Sequence, residues 1–305
     1  MEYIKQFKLI WLLLAFSSVA LSADSPLVVI IISGEAKAYK QVTENFMAEL
    51  HEKRPEVHFI EVNSSEFEKH QSLLKAKSPA MVFALGSDSV RKAKEQLHGQ
   101  PMLATMILDK KTLQGRSNAT AITIDMPIVK QLKWHKRILP AAKRVGILYN
   151  PKNNQKWIDQ AKKSAGRFGL EIVPVKVETA RDITSALKSL NHRVDSILAI
   201  PDKVVYSTNT ARAVLLFSFR NRIPFIGLSS AWVKAGALYA LDWDYLNLGK
   251  QSASIALKIL GGTKPKKIKV GVPAKSTYQL NLKTAERMKL SIKKELIEAA
   301  EKVYE

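Results

Sequence analysis

The sequence predicts an α/β protein built from two doubly wound, Rossmann-like lobes. A chain of 305 residues is long for one compact domain and sufficient for two lobes of roughly 100–150 residues each. Short apolar runs alternate with amphipathic helical stretches, which is the pattern of βαβ units. The alternation ends near residue 125 and starts again at residue 128, so two lobes in tandem are expected.

The first half contains five predicted strands and three predicted helices. Runs 27–32 and 81–85 are apolar at every position, as central strands of a parallel sheet covered on both faces must be. The predicted strands are residues 27–33, 57–62, 80–85, 102–107 and 119–124, and the predicted helices are residues 36–53, 65–76 and 88–97.

The second half repeats this pattern without repeating the sequence. Gly169 follows a predicted helix, where a left-handed residue is favoured, and Asp182 is positioned to cap the next helix. The predicted strands are residues 144–149, 171–175, 196–200 and 224–228, and the predicted helices are residues 128–139, 154–168, 183–190 and 208–220.

The tail, residues 236–305, does not continue the regular βαβ alternation of the two halves, and its segments determine the expected lobe boundaries. We predict strands at 236–242, 266–270 and 277–282, a helix at 245–261, and one or two helices up to residue 305. The first lobe is expected to comprise residues 23–125 and part of 243–305. The second lobe is expected to comprise residues 126–242, with the remaining tail segments crossing between the lobes.

Residues 1–22 have the three parts of a signal peptide. Lys5 and Lys8 precede an apolar run at 9–16, and Ala20 and Ser22 are the small residues at −3 and −1 of a cleavage site. A membrane anchor is the alternative, but the run is short for a span of ~20 residues. We expect cleavage and no stable membrane insertion afterwards.

The chain contains no cysteine, which constrains an exported protein in two ways. Disulfides are excluded, so the hydrophobic cores must hold the fold unaided. A lipid-modified cysteine at the new N-terminus is excluded as well. We therefore expect a soluble, monomeric protein of the periplasm.

The charge balance is strongly basic, with 48 Lys and Arg against 27 Asp and Glu and a formal net charge of +21. Such an excess is compatible with nucleic acid, an anionic membrane or an acidic ligand. The lysines are dispersed over many segments, and the densest run is only residues 264–269. A basic, solvated surface is the preferred interpretation.

Motifs for catalysis and for DNA binding are missing from the sequence. It has no Gly-x-Ser-x-Gly elbow, no phosphate-binding loop and no His-Glu-x-x-His pair. Asp242 and Asp244 resemble a metal pair, but we interpret one as starting the next helix and the other as lining a cleft. A repressor of this architecture needs an N-terminal helix-turn-helix, where the signal peptide lies. We therefore expect no enzyme, no cofactor, no metal and no nucleic-acid partner.

The candidate ligand-binding residues follow predicted strands. In open parallel sheets, ligands bind beyond the carboxyl ends of the strands, where helix N-termini present free N–H groups. Loops and helix caps favour the same residue types, so this alternative stays open at each position. The candidates are Ser33, Ser87, Asn150, Asp202, Ser229 and Asp242, with Tyr39 and Trp232 as possible stacking faces or core residues.

Asp202 is the most prominent candidate, because an apolar run stops at Pro201-Asp202 and a turn there would aim the carboxylate at the rim. It is either a partner for a ligand ammonium or the cap of the following helix. With Ser33 and Ser87 facing a ligand carboxylate, the first interpretation predicts a small zwitterionic ligand.

The second half also resembles a known family. Residues 139–151 have the sequence LPAAKRVGILYNP, which resembles the lobe-crossing segment of ABC-transporter substrate-binding proteins, some of which bind tryptophan or related amino acids. The similarity covers roughly residues 128–290. It continues through Asp182-Ile183, Ala186-Leu187, Val194-Asp195-Ser196-Ile197, Pro201-Asp202, Ile223-Pro224-Phe225, Gly236-Ala237-Leu238, Asp244-Tyr245, Leu248-Gly249, Ile259-Leu260-Gly261-Gly262, Lys264-Pro265, Leu280-Asn281 and Ala285.

This resemblance implies a type I periplasmic binding fold, with a hinge of crossing segments, a small-molecule ligand in the cleft and an ABC permease as partner. Asn150, Asp202 and the Ser229 region are the residues it carries over. In the first half, residues 84–87 match the family, whereas its Asp-Pro-Val and Pro-Gly-Gly-Asn signatures are replaced by residues 108–120. A binding protein that serves a sensor or another uptake system, without its own permease, is the alternative.

Overall fold

The first lobe is a five-stranded sheet with strand order β2-β1-β3-β4-β5, in which all neighbouring strands are parallel. The computed structural model describes residues 25–305, so the predicted signal peptide lies outside the described residues. The elements of this lobe are β1 (Leu27–Ile32), α1 (Lys37–Lys53), β2 (His58–Asn63), α2 (Phe67–Ala76), β3 (Met81–Leu85), α3 (Ser87–Gln96), β4 (Met102–Ile107) and β5 (Ala119–Thr123).

Both faces of this sheet are buried, which is why its central strands are apolar at every position. Phe83 of β3 stacks on Phe46 of α1 with ring centroids 4.0 Å apart. On the other face, Val29 and Val82 are fully buried in a second cluster that includes Phe67 of α2. The sequence prediction of a parallel sheet covered on two sides is confirmed.

The second lobe contains five further strands and five helices before the tail. Gly169 has φ 62°, so the left-handed helix end is confirmed. Asp182 is the N-cap residue of α6, as predicted, but its side chain does not cap that helix. Its carboxylate instead accepts the N–H and hydroxyl of Thr179 in a capping box three residues earlier. The elements are α4 (Ile128–Ile138), β6 (Arg144–Tyr149), α5 (Pro151–Ala165), β7 (Glu171–Lys176), α6 (Ile183–Leu190), β8 (Ser196–Leu198), α7 (Thr208–Asn221), β9 (Phe225–Gly227), α8 (Ser230–Lys234) and β10 (Tyr239–Trp243).

The tail contributes to both lobes. Helix α9 (Tyr245–Leu260) packs along α1 of the first lobe, and the lobe boundaries themselves stay a prediction. The following β11 (Ser276–Asn281), α10 (Leu282–Arg287), α11 (Lys294–Glu298) and β12 (Lys302–Tyr304) join the second lobe. The second sheet thus has the order β12-β11-β10-β9-β8-β6-β7, with β11 antiparallel to β10.

The predicted strand at 266–270 is wrong, and β12 was not predicted. Pro265 starts a short 3₁₀ turn that ends at Lys267. The chain then meets β5 at Ile268, whose carbonyl accepts the Thr120 hydroxyl at 2.9 Å, and forms a β-bridge only at Gly271. Gly271 exchanges backbone hydrogen bonds with Ala121 and Thr123 of β5, at 3.1 and 2.9 Å. The segment therefore covers the edge of the sheet without forming a regular strand.

Within the described residues, the chain crosses between the lobes after β5, after β10 and after α9. The Trp243 indole N–H donates to the Ile124 carbonyl at 2.8 Å, which ties the first crossing to the second. The Asp244 N–H donates to the Lys275 carbonyl at 3.2 Å, which ties the second crossing to the third. These crossings lie beside each other at the base of the cleft.

Candidate functional site

A cavity of about 280 Å³ lies where the carboxyl ends of the strands of the two sheets face each other. Its volume is close to the lower end of the range for ligand pockets. Most of its walls are apolar. Of the described residues that line it, only Asp242 carries a charge. The lining residues are Leu108, Ile124, Met126, Gln131, Leu198, Ala199, Pro201, Ile226, Gly227, Leu228, Leu241, Asp242, Trp243 and Tyr245.

Asp242, near the end of β10, presents a positioned carboxylate to this cavity. Its Oδ1 accepts the Tyr245 hydroxyl at 2.7 Å and the Trp243 N–H at 2.8 Å. Its Oδ2 accepts no hydrogen bond from any residue between 25 and 305. Burial raises the pKa of Asp242, and the two hydrogen bonds oppose that effect. A cation at Oδ2 would favour the ionised carboxylate further.

Tyr245 holds the Asp242 side chain in place. It lies in the first turn of α9, three residues after Asp242, across the junction from strand to helix. Burial and the neighbouring carboxylate raise the pKa of the Tyr245 hydroxyl, so this group stays protonated and donates its hydrogen bond at any physiological pH. The pair is therefore an acceptor with one free oxygen and a fixed orientation.

Asp202 is satisfied within its own lobe. It is 6% exposed, and its Oδ1 accepts the N–H groups of Val204 and Val205 at 3.0 and 3.2 Å. Its Oδ2 accepts the Asn150 N–H at 2.7 Å and the Asn154 side-chain amide at 2.8 Å. A carboxylate has about four acceptor positions, and all of them are used here. This geometry favours a structural role for Asp202 over a ligand contact. The following helix α7 is capped by Ser207, and Asp202 instead closes the turn that precedes it.

Asn150 is used internally as well. Its side-chain oxygen accepts the Lys152 N–H at 3.1 Å at the start of α5. Its amide donates to the carbonyls of Val177 and Glu178 at 3.0 and 3.1 Å. Asn150 thus fastens the loop after β6 to the end of β7 and, through its N–H, to Asp202.

The first-lobe candidates meet around Gly86. The Ser33 hydroxyl bonds to the Ser89 hydroxyl and accepts the Ser89 N–H, both at 2.8 Å. A Cβ on Gly86 would lie 2.7 Å from Ser33 Oγ and 2.9 Å from the Tyr39 hydroxyl, and its φ of 94° also requires glycine. Ser87 follows as the exposed first residue of α3. The structure therefore brings Ser33, Tyr39 and Ser87 together on one rim.

The second-lobe candidates Ser229 and Trp232 have structural contacts. Trp232 packs against Phe225 at 5.4 Å and edge-on against Tyr206 at 6.0 Å between ring centroids. Ser229 precedes α8, and its carbonyl accepts the Trp232 N–H at 3.0 Å. Neither residue lines the cavity, although Leu228 next to Ser229 does. For Trp232, packing in the lobe core is the interpretation that the geometry favours.

Sequence reasoning missed Tyr245, Trp243 and Ile124 as site residues. Tyr245 had a local signal, because it follows an acidic strand end by three residues and starts an amphipathic helix. Trp243 and Ile124 had none, since their contact joins positions far apart in the chain.

Within residues 25–305, no three or more His, Cys, Asp or Glu side chains are grouped in a way that could hold a metal ion. No helix in the described part of the chain has both the length and the apolar character needed to span a membrane.

A family model described as ABC transporter substrate binding protein matches residues 61–304. Among curated proteins, a tyrosine-binding protein of Clostridioides difficile (strain R20291) is 25% identical over 191 residues. That match covers 60% of this chain and 55% of the relative, so it spans little more than half of the relative's length.

Two solved structures resemble most of the chain. A ligand-free, open substrate binding protein with adhesive properties from Clostridium difficile is 21% identical with a TM-score of 0.78. An ABC domain from Streptococcus pneumonia in complex with L-Trp is 19% identical with a TM-score of 0.62. Each comparison covers 92% of this chain and 99% of the other. The predicted two-lobed α/β fold of the type I class is confirmed.

Proposed function

This chain belongs to the ABC transporter substrate-binding protein family, and we propose that it captures a small amino-acid-like ligand in the cleft between its lobes. Family membership confirms the prediction of a small-molecule-binding protein rather than an enzyme. The finer proposal is that the protein is exported through a cleaved signal peptide, works in the periplasm and delivers its ligand to an ABC permease.

Asp242 is the observation that carries the ligand class. It is the only charged side chain among the described residues lining the cavity, and Tyr245 fixes its orientation. Its Oδ2 is available for a charge-assisted hydrogen bond, and such bonds are roughly twice as strong as neutral ones. A ligand ammonium suits this position, whereas a ligand carboxylate would be repelled at short range.

The rim of the first lobe, around Ser33 and Ser87, is suited to the carboxylate of a zwitterionic ligand. Helix α3 begins at Ser87, directly after the close approach of Gly86 to Ser33, and helix N-termini favour carboxylates. Ser33, Tyr39 and Ser87 do not line the cavity itself, whose walls on the first-lobe side are Leu108, Ile124 and Met126. These apolar walls suit an apolar side chain of the ligand. The curated relative named as a tyrosine-binding protein supports the same ligand class.

Thermal-shift screening of the full chain against the common L-amino acids, dipeptides, nucleosides and organic anions would identify the ligand class. Calorimetry on Asp242→Asn then tests the site. Loss of a charge-assisted hydrogen bond costs ~1.5–3 kcal/mol, so the affinity for an amino acid should fall roughly 10- to 150-fold.

Asp202→Asn is the matched control. It should lower the melting temperature, because Asp202 accepts four hydrogen bonds inside the second lobe, and leave affinity nearly unchanged. A best ligand without a cationic nitrogen would contradict the proposal. So would wild-type affinity in Asp242→Asn, or the larger loss of affinity in Asp202→Asn.

A further inference from the structure

The outer face of α7 presents an exposed apolar pair between two arginines. Leu216 is 40% exposed and Phe219 is 48% exposed, one helical turn apart. Arg212 and Arg220 lie four residues before and after Leu216, so they share its side of the helix and are exposed as well. The face is thus apolar at its centre and cationic at both ends.

A groove beside this pair extends the same character. A cavity of about 390 Å³ runs between α6 and α7, and Leu187, Ala213 and Phe217 contribute apolar walls. Lys188 and Arg220 also line it, and none of the described residues in its walls is acidic.

The surroundings reinforce the positive charge. The Arg287 guanidinium lies over the Phe219 ring at 5.4 Å. Residues 183–222 contain six Lys or Arg and only two acids, Asp195 and Asp202. Asp195 is paired with Arg144, and Asp202 accepts four hydrogen bonds inside the lobe. Neither carboxylate is available to balance the cations of this face.

We propose that this α7 face docks onto an anionic lipid surface, with Leu216 and Phe219 entering the interface and the arginines contacting lipid phosphates. Apolar side chains set among cations are the pattern of interfacial membrane binding, and arginine matches phosphate geometry.

An extended anionic surface accounts for the dispersed positive charge of the chain better than a compact acidic protein would. The chain's charge of +21 is dispersed over its length, and a charged membrane plane attracts all of the nearby cations together. A small acidic partner would use only those at its contact. Docking of this kind would hold the protein close to membrane transport machinery while leaving the cleft open.

The absence of cysteine allows a direct test. Leu216→Cys in the full chain, labelled with an environment-sensitive fluorophore, is mixed with phosphatidylglycerol vesicles or with phosphatidylcholine vesicles. The control is Leu73→Cys, labelled in the same way, because Leu73 is 49% exposed on α2 of the first lobe. The label at 216 should shift to the blue with phosphatidylglycerol only, and added salt should reverse the shift. The label at 73 should not respond.

Two double variants with the same net charge distinguish binding through the α7 face from attraction by the overall charge of the protein. Arg212→Glu/Arg220→Glu should weaken binding to phosphatidylglycerol vesicles by about tenfold or more. Lys162→Glu/Lys163→Glu removes the same net charge from exposed positions of α5, which packs in the core cluster on the opposite side of the second sheet. It should weaken binding much less.

Three results would overturn the proposal. The label at 216 could fail to respond to vesicles, which would leave an acidic protein as the partner. The two reversal variants could lose affinity equally, which would mean attraction by net charge alone. The label at 216 could shift with protein concentration without vesicles, which would make this face a contact between two copies.

Discussion

Gly249 is where the close contact between α1 and α9 can be tested most sharply. A Cβ at this position would lie 2.6 Å from the Val42 carbonyl oxygen, 2.8 Å from Asn45 Cβ and 3.0 Å from the Phe46 nitrogen. Two of these three atoms belong to the backbone of α1, so no rotamer change can remove the clash. Gly249→Ala must therefore push the two helices apart.

The expected change in the free energy of unfolding of Gly249→Ala follows from two opposing effects. Overpacking a well-packed contact costs typically ~1–3 kcal/mol, while alanine in place of glycine stabilises a helix by about 1 kcal/mol. Separating the helices also loosens Ala253 and Ala256, which are fully buried in the first-lobe core together with residues of α1. The two effects together leave a loss of about 0–2 kcal/mol in the free energy of unfolding, and the loosened alanines place the expected value in the upper half of that range.

Gly166→Ala is the matched control with the opposite expected sign. Gly166 has φ −56° and ψ −31°, and a Cβ there would have no neighbour within 4 Å. Alanine should stabilise this position by ~0.4–1 kcal/mol, because it restricts the unfolded chain without a native clash.

Urea unfolding followed by circular dichroism would compare the two variants, and hydrogen exchange would locate the change. Gly249→Ala should lower the urea midpoint and speed exchange in α1 and α9, and Gly166→Ala should raise the midpoint slightly. If Gly249→Ala were as stable as Gly166→Ala, the close approach of the helices would not constrain the fold.

Two further predictions concern His135 and the crossing segments. Burial lowers the pKa of His135 from 6.5 to about 4. As the pH falls between these two pKa values, the unfolded chain gains a proton at this residue and the folded chain does not. The free energy of unfolding should therefore fall by about 3 kcal/mol across this pH range. In urea unfolding across this range, His135→Gln should flatten the pH dependence of the free energy of unfolding. Parallel pH profiles for wild type and His135→Gln would contradict this. Trp243→Phe removes the 2.8 Å bond to Ile124 and should enlarge the radius of gyration of the unliganded chain in small-angle scattering, so an unchanged radius would show that this bond does not restrain opening.

The strands were predictable because burial on both faces leaves a continuous apolar run, and β6 spans the predicted 144–149 for that reason. The tail was harder, because pairing there depends on contacts distant in sequence. Residues 267–270 alternate between lysine and apolar side chains, but alternation specifies which face each side chain occupies and supplies no partner strand. β12 is a three-residue edge strand, Lys302–Tyr304, with no apolar run to mark it.

The candidate site was predicted only as a rim. Asp202 and Asp242 both fall at strand ends, and local sequence does not distinguish them. The two carboxylates differ in the number of hydrogen-bond donors around them. Asp202 accepts hydrogen bonds from Asn150 and Asn154, about fifty residues earlier in the chain. Asp242 accepts hydrogen bonds from the described residues at one oxygen only and keeps the other free toward the cavity. Sequence can place an acid at a strand end, but only the packed loops determine whether its acceptor positions are already filled.

The net charge and the cleft charge act at different ranges, which reconciles a basic chain with a ligand that carries a cation. Exposed charges are screened over about 8–10 Å at physiological ionic strength, so the dispersed lysines contribute little to a ligand enclosed between the lobes. At hydrogen-bond distance in a partly buried cavity, one carboxylate dominates, and Asp242 is the only one that the described lining offers. The dispersed charge instead acts on extended partners, where many cations lie within a screening length of the same surface. Ligand choice and surface attraction are therefore set by different residues, and reversing Arg212 and Arg220 should leave the amino-acid affinity that depends on Asp242 intact.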